Sequence, residues 1–193
     1  MSEQTIHKDR FDWYRAIEPV EPLEQGDILF DFPIMIPPQA ILQIQDEDVE
    51  SEAPEIIVEK YNVVLMTQSC DLSKMKAENE IIFCPLYDYS EIIQIQSKYG
   101  GQDGWKSLRS GRFISTHLIN RCTIEEFLFD FQVVDLRRIF SVPLAIVRLF
   151  IEQNKKRIRL LPPYREHLAQ AFARQFMRIG LPVDLPPTYP YKR

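Results

Sequence analysis

Glycine is scarce in this sequence, at 6 residues in 193, and its scarcity excludes one class of binding site. Phosphate-binding loops and dinucleotide fingerprints need several glycines at a fixed spacing, and six glycines in the whole chain leave little room for one. Proline is plentiful instead, at 14 residues. We therefore expect rigid prolines to set many of the turns.

Cysteine is also scarce, because the chain has only Cys70, Cys84 and Cys122. An odd number without paired spacing argues against a disulfide framework and favours a reducing compartment. Together with His117 these cysteines are the plausible metal ligands, but none of their spacings is the close pair typical of zinc sites. The sequence therefore predicts no metal and no cofactor.

Long apolar runs are missing as well. No run approaches the roughly 20 residues needed to span a bilayer. Residues 1–10 are polar and lack the apolar core of a signal peptide. These absences predict a cytoplasmic protein with no membrane partner. A chain of 193 residues fits one domain that can bury its own core.

The chain does contain several short apolar stretches of β-strand character. Residues 28–36, 56–58, 63–66 and 81–84 are dense in Ile, Val, Leu and Phe, and prolines follow two of them. Residues 63–66 are apolar at four consecutive positions, which predicts a strand buried on both faces. The predicted fold class is α+β, mainly β: a small barrel-like body with short helices and a C-terminal amphipathic helix.

A single domain can then be divided along the chain by composition. The acidic run is predicted to be a loop, because like charges repel and none of them can be buried. The predicted segments are an N-terminal arm (1–24), the strand-rich body (25–161) with its acidic loop (45–55), the C-terminal helix (162–180) and a Pro-rich tail (181–193).

The C-terminal helix has the clearest pattern in the sequence. Its start is marked by prolines at 162 and 163, and its end by a glycine at 180. Between them, apolar residues recur at steps of three and four, as on one face of a helix. The apolar positions are Leu168, Ala171, Phe172, Phe176 and Ile179.

Charge is distributed unevenly. Residues 1–100 carry 7 Lys/Arg and 20 Asp/Glu, a net charge of −13, whereas residues 101–193 carry 16 Lys/Arg and 8 Asp/Glu, a net charge of +8. One interpretation is that the two halves attract each other within one fold. The other is an Arg-lined surface for nucleic acid or an acidic partner, since Arg suits phosphate and carboxylate. Its candidate residues are Arg157, Arg159, Tyr164, Arg165, Arg174 and Arg178.

A polar turn follows the most apolar strand, at residues 67–72. Strand ends often carry functional groups, because the strand holds them rigidly. Cys70 could act as a nucleophile beside a base such as His117, with Gln68 and Asp71 assisting. The alternative is a plain turn, since residues 69, 71 and 73 are all types that cap helices.

Three segments resemble the strand series of PemK/MazF-type growth inhibitors. They are residues 25–28, where Gly26 and Asp27 form a turn before a strand, residues 63–69, and residues 81–86. The resemblance is to a bacterial family similar to those inhibitors. It implies an SH3-like barrel, a homodimer and ribosome-independent RNA cleavage.

Two positions depart from the pattern of that family. Tyr61 and Asn62 stand where the family has Arg-Pro, and Tyr87 and Asp88 replace its hydroxyl residue. The resemblance therefore implies the fold more strongly than the cleavage activity.

Three functional hypotheses follow from the sequence. The first is an SH3-like barrel that binds RNA, DNA or a partner protein through its Arg-rich half, in a bacterial defence or toxin–antitoxin-like setting. The second is an endoribonuclease toxin that uses Gln68, Cys70, Asp71 and either Arg112 or His117. The third is a Cys-dependent hydrolase.

Overall fold

The computed structural model describes residues 11–37, 56–153 and 156–177. The strands in these ranges are β1 (Tyr14–Ile17), β2 (Asp27–Ile36), β3 (Ile57–Leu65), β4 (Glu80–Asp88), β5 (Thr116–Ile119), β6 (Gln132–Asp135), β7 (Phe140–Pro143) and β8 (Arg157–Leu160). The α-helices are α1 (Ser69–Leu72), α2 (Tyr89–Ile95), α3 (Gly101–Arg109), α4 (Leu144–Glu152) and α5 (Tyr164–Phe176). The predicted α+β, mainly β class is confirmed.

All eight strands belong to one antiparallel sheet. The order is β1-β8-β2-β3-β4-β6-β5, and β7 pairs with β4 beside β6. The edge strands β1 and β5 do not pair with each other in the described part of the chain, so the sheet is not closed into a barrel.

The sheet is nevertheless strongly curled. Six spacings of ~4.8 Å would hold β1 and β5 about 29 Å apart in a flat sheet. Instead, the Tyr14 hydroxyl of β1 donates a hydrogen bond to the carbonyl of Asn120, directly after β5, at 2.6 Å. The ring of Tyr14 also meets Phe129 edge-on, with centroids 5.5 Å apart. The two edges of the sheet therefore meet through side chains.

An irregularity in β2 contributes to this curvature. The register with β3 shifts between Leu29 and Phe32, and Asp31 has a φ of 52°. The side chain of Asn62 accepts a hydrogen bond from the Asp31 N–H at 3.2 Å. A bulge of this kind bends the strand and increases its local twist.

The predicted N-terminal arm is partly wrong. Residues 1–10 lie outside the described residues, but residues 14–17 form β1 and pair with β8. Tyr14 and Ile17 are buried, so burial favours pairing this segment with the sheet.

Apolar side chains fill both faces of the sheet. On the inner face, Val64, Leu86 and Val134 pack with Leu168 and Ala171 of α5. On the outer face, α4 packs over β2, β3 and β4, while α2 and α3 enclose a third, smaller cluster. The outer-face residues are Leu29, Phe32, Val63, Leu65, Ile81, Phe83, Leu144, Val147 and Ile151.

Several predicted elements are confirmed with different bounds. The strands expected at 56–58 and 63–66 are one continuous strand, β3, because Tyr61 and Asn62 between them also pair with neighbours. The C-terminal helix begins where the prolines predict it and is described to Phe176. The acidic loop (45–55) and the tail (181–193) lie outside the described residues. None of the described helices is both long and apolar enough to cross a bilayer.

Candidate functional site

The polar residues after β3 have a structural role as a turn. Gln68 precedes the short helix α1, and the Ser69 hydroxyl accepts the Gln25 N–H at 3.0 Å. The Thr67 hydroxyl accepts the Ile82 N–H at 2.8 Å. Small hydroxyl side chains here satisfy backbone donors of neighbouring segments, which explains their presence without any chemistry.

Cys70 is exposed on this turn. Its sulfur lies 3.6 Å from Gln68 Oε1 and 3.8 Å from Asp71 Oδ1, both of which are acceptors. His117 lies on β5 and lines a different groove, with α3 and α5. The structure therefore does not bring His117 to Cys70, and the predicted four-residue catalytic set is not assembled.

The predicted exposure of Arg157 and Arg159 is wrong. Arg157 is 0% exposed and Arg159 is 3% exposed. Asp27, which is 0% exposed, lies between their side chains. Arg157 Nε donates to Asp27 Oδ2 at 2.9 Å, and Arg159 Nη2 donates to the same oxygen at 3.0 Å. These groups form a buried ion cluster, so neither arginine belongs to a surface that binds a partner.

The buried ion cluster also fastens the chain before β2. Arg157 donates to the carbonyls of Glu18 and Glu21 at 3.2 and 2.6 Å, and Arg159 donates to that of Pro22 at 2.8 Å. Gly26, with a φ of +87°, makes the turn that brings Asp27 beneath the arginines. The predicted Gly26–Asp27 turn is thus confirmed, and its role is structural.

The other predicted binding residues lie on α5. Arg165 forms ion pairs with Glu166 at 2.8 Å and with Glu24 at 3.5 Å, so these carboxylates balance its positive charge. The ring of Tyr164 stacks on Trp13 at 3.5 Å between centroids, with 8° between planes. Arg174 is exposed. Arg178 lies outside the described residues.

A groove with aromatic and basic side chains runs between α3, β5 and α5. It consists of three adjoining cavities of about 420, 190 and 20 Å³, and His117 lines all three. We call it the aromatic–basic groove. The residues that define it are Trp13, Trp105, Arg109, His117, Phe131, Tyr164, His167 and Arg174.

Helical spacing places most of these side chains. Trp105 and Arg109 are four residues apart on α3 and so share one of its faces. Tyr164, His167 and Arg174 share one face of α5, whose buried positions Leu168 and Ala171 hold the helix against the sheet. The groove therefore rests on rigid elements rather than on a loop.

The lining of the aromatic–basic groove includes no carboxylate among the described residues. By contrast, the cavity beneath α4 is rimmed by Glu21, Glu24 and Glu152. Burial, together with repulsion from His167 and Arg174, lowers the pKa of His117 to about 4. His117 is consequently neutral at pH 7, and an anion in the groove would favour its protonated form.

Sequence reasoning missed five of the eight residues that define this groove. The residues not predicted as site residues are Trp13, Trp105, Arg109, Phe131 and His167. The helical spacing of Trp105 and Arg109 was a usable signal, but nothing local shows that α3 and α5 flank the same strand.

The described residues contain no group of three or more His, Cys, Asp or Glu side chains arranged to hold a metal ion. The chain matches no known protein-family model, and no curated protein sequence is significantly similar to it.

Proposed function

We propose that this protein binds single-stranded nucleic acid in the aromatic–basic groove. The observation that carries the proposal is the combination of Arg109, Arg174 and two histidines with four partly exposed aromatic rings, without an acidic side chain in the lining. Guanidinium groups favour phosphate oxygens, and aromatic rings stack on unpaired bases.

The aromatic lining favours a single strand over a duplex. Bases of a duplex are stacked on each other, so their faces cannot reach Trp105 or the Trp13–Tyr164 pair. An acidic protein segment would satisfy the arginines equally well but would offer the rings no flat partner beyond those they have within the fold. The rings therefore decide between these two partner classes.

The sequence resemblance fits this proposal. A curled sheet whose edges meet at Tyr14 and Asn120 supports a relationship to SH3-like barrels. A nucleic-acid-binding groove suits a bacterial defence or toxin–antitoxin-like setting. The homodimer implied by the resemblance stays a prediction, as does a Cys-dependent hydrolase activity.

Arg174→Glu tests the proposal directly. We expect it to weaken binding of a short fluorescein-labelled oligothymidylate by about tenfold or more, since reversal of one phosphate-facing charge costs at least ~1.4 kcal/mol. Fluorescence anisotropy at fixed salt measures the affinity. The matched control is Arg148→Glu, an exposed arginine on α4 outside the groove.

The wild-type protein should also prefer the single strand to a duplex of the same length. Equal affinities for the Arg174→Glu and Arg148→Glu proteins would place binding outside the groove. Tighter binding of the duplex would contradict the role of the aromatic rings.

A second candidate function is RNA cleavage in the same groove, because two histidines line it together. His117, which is neutral, would remove the proton of a ribose 2′-hydroxyl. The 2′-oxygen would then attack phosphorus while the bond to the 5′-oxygen breaks, and His167 would act as the general acid that supplies that oxygen with a proton. Arg109 and Arg174 would stabilise the added negative charge.

This second candidate predicts metal-independent cleavage that leaves a 2′,3′-cyclic phosphate and a 5′-hydroxyl. His167→Ala should slow cleavage of an RNA pool by about a hundredfold, as followed on a sequencing gel in the presence of a chelator. Intact RNA after incubation with wild-type protein that binds oligothymidylate would exclude nuclease activity and leave the binding function in place.

A further inference from the structure

A separate pocket opens at one end of the curled sheet, away from the α3–α5 groove. We call it the sheet-mouth pocket. Its volume is about 330 Å³, within the range of small-molecule sites. The residues that line it are Ile28, Phe30, Asn62, Leu86, Asp88, Glu126, Phe127, Leu128, Phe129 and Gln132.

Strand alternation explains why polar side chains converge here. Asn62, Asp88 and Gln132 each lie two residues from an inner-face core residue on β3, β4 and β6. The ladder pairs Asp88 with Gln132, and Asn62 with Leu86. Three neighbouring strands thus end their apolar inner face with an amide or carboxylate at the same end of the sheet.

Aromatic rings form the apolar part of the pocket. Phe30 and Phe127 are stacked, with centroids 5.6 Å apart and 24° between planes. The ring centroid of Phe129 lies 6.2 Å from that of Phe30. Because Phe127 belongs to the segment between β5 and β6, this segment forms a wall of flat rings next to the polar strand ends.

Gln132 carries an acceptor that nothing in the described chain satisfies. The residue is 4% exposed, and its Nε2 donates to Asp88 Oδ1 and to the Asp130 carbonyl. No donor among the described residues reaches Gln132 Oε1 or the second oxygen of Asp88. Both residues line the pocket, so these two oxygens are open to hydrogen-bond donors of a ligand.

Asn62 supplies a hydrogen-bond donor to the pocket. Its Oδ1 is occupied by the Asp31 N–H at 3.2 Å, which leaves its Nδ2 as a donor. Glu126 is exposed, and its negative charge is balanced by Lys156, whose Nζ lies 2.8 Å from its carboxylate. The pocket accordingly offers two acceptors, Gln132 Oε1 and Asp88 Oδ2, and one donor, Asn62 Nδ2.

We propose that the sheet-mouth pocket binds guanine, as a free nucleoside or as a base of a nucleotide. The pairing edge of guanine presents one carbonyl acceptor beside two N–H donors, which complements one donor and two acceptors. Cytosine presents one donor and two acceptors, uracil two acceptors around one donor, and adenine a single donor beside an acceptor. The phenylalanine rings stack on the base.

Titration with guanosine, inosine, adenosine and cytidine tests this site independently of the α3–α5 groove, because nucleosides carry no phosphate. Isothermal titration calorimetry should show guanosine binding tightest. Inosine lacks the 2-amino donor and should bind about tenfold more weakly. Equal affinities for the four nucleosides, or no binding at millimolar concentration, would overturn the proposal.

Asp88→Asn removes the charged acceptor while keeping its size, and should weaken guanosine binding about tenfold. Asp103→Asn, the same change at an exposed position of α3, should leave it unchanged. If Asp88→Asn does not fold, as judged by thermal unfolding, Phe127→Ala removes a stacking ring from a partly buried position and should give a comparable loss. Unchanged guanosine affinity in a folded Asp88→Asn or Phe127→Ala protein would contradict the assignment.

A loss of oligothymidylate binding without any change in guanosine affinity is expected for Arg174→Glu. Failure of the nucleic-acid proposal and failure of the guanine proposal therefore give different results in the same set of proteins.

Discussion

Asp27→Asn is expected to lower the free energy of unfolding by about 3–5 kcal/mol, because it leaves buried positive charge uncompensated. The carboxylate of Asp27 is the negative charge between Arg157 and Arg159, and the side chains of Asp27 and Arg157 are fully buried. Glu24 also contacts Arg159, at 2.7 Å, but it is partly exposed and does not reach Arg157. Urea unfolding followed by circular dichroism measures the loss.

A matched control separates burial from the loss of one charge. Asp12→Asn makes the same chemical change at an exposed position close to β1, and should alter the free energy of unfolding by less than about 0.5 kcal/mol. If Asp27→Asn were as mild as Asp12→Asn, the arginines would have to be solvated in the folded protein.

The segment before β2 should loosen together with the buried ion cluster. Arg157 and Arg159 hold the carbonyls of Glu18, Glu21 and Pro22, so their displacement frees this segment. Limited proteolysis is therefore expected to cut near Glu18–Pro22 in the Asp27→Asn protein under conditions that spare the wild type.

The same cluster shows where sequence reasoning on charge fails. Arg157 and Arg159 alternate with Ile158 and Leu160, a pattern that resembles a half-exposed basic strand. The strand instead lies between β1 and β2 in the sheet, so all four of its residues are buried. A single Asp, 130 residues earlier in the chain, makes that burial possible, and no local pattern reveals such a partner.

Local patterns were more informative about secondary structure. Continuous apolar runs predicted β2, β3 and β4, and the prolines before Tyr164 predicted where α5 begins. These features depend on neighbouring residues, which is why the sequence contains them. The pairing of residues 14–17 with β8 depends on residues 140 or more positions away, so an arm was predicted where the structure has an edge strand.

The candidate site was predicted in part only. His117, Tyr164 and Arg174 were identified from residue type, and the structure places them in one groove. Their companions Trp13 and Trp105 come from distant segments that only the folded sheet brings together. Residue types can suggest chemistry, but the curl of the sheet and the positions of α3 and α5 decide which residues meet.

His117 should make the stability of the free protein fall as the pH falls from about 6.5 to about 4. Burial lowers its pKa from 6.5 to about 4, so between these values the unfolded chain binds a proton that the folded protein does not. Stability is therefore fully present above pH 6.5 and decreases by up to ~1.4 kcal/mol per pH unit below it, or roughly 3 kcal/mol in all.

The groups that line the groove around His117 include Arg109 on α3 and His167 and Arg174 on α5. Urea unfolding at pH 7.0, 5.5 and 4.5 should show a smaller pH-dependent loss of unfolding free energy for His117→Gln than for wild type. His167→Gln measures the part of this loss that comes from repulsion between His167 and His117. Equal pH dependence of the wild-type and His117→Gln proteins would mean that His117 is not held neutral by the fold.

Ligand binding should reverse the sign of this pH effect. A phosphate beside His117 favours its protonated form, so oligothymidylate should bind more tightly as the pH falls from 7 towards 5.5. The increase should disappear in His117→Gln, whereas Arg148→Glu should retain it. A protein that loses stability yet gains nucleic-acid affinity over the same pH interval would tie both effects to one imidazole in the aromatic–basic groove.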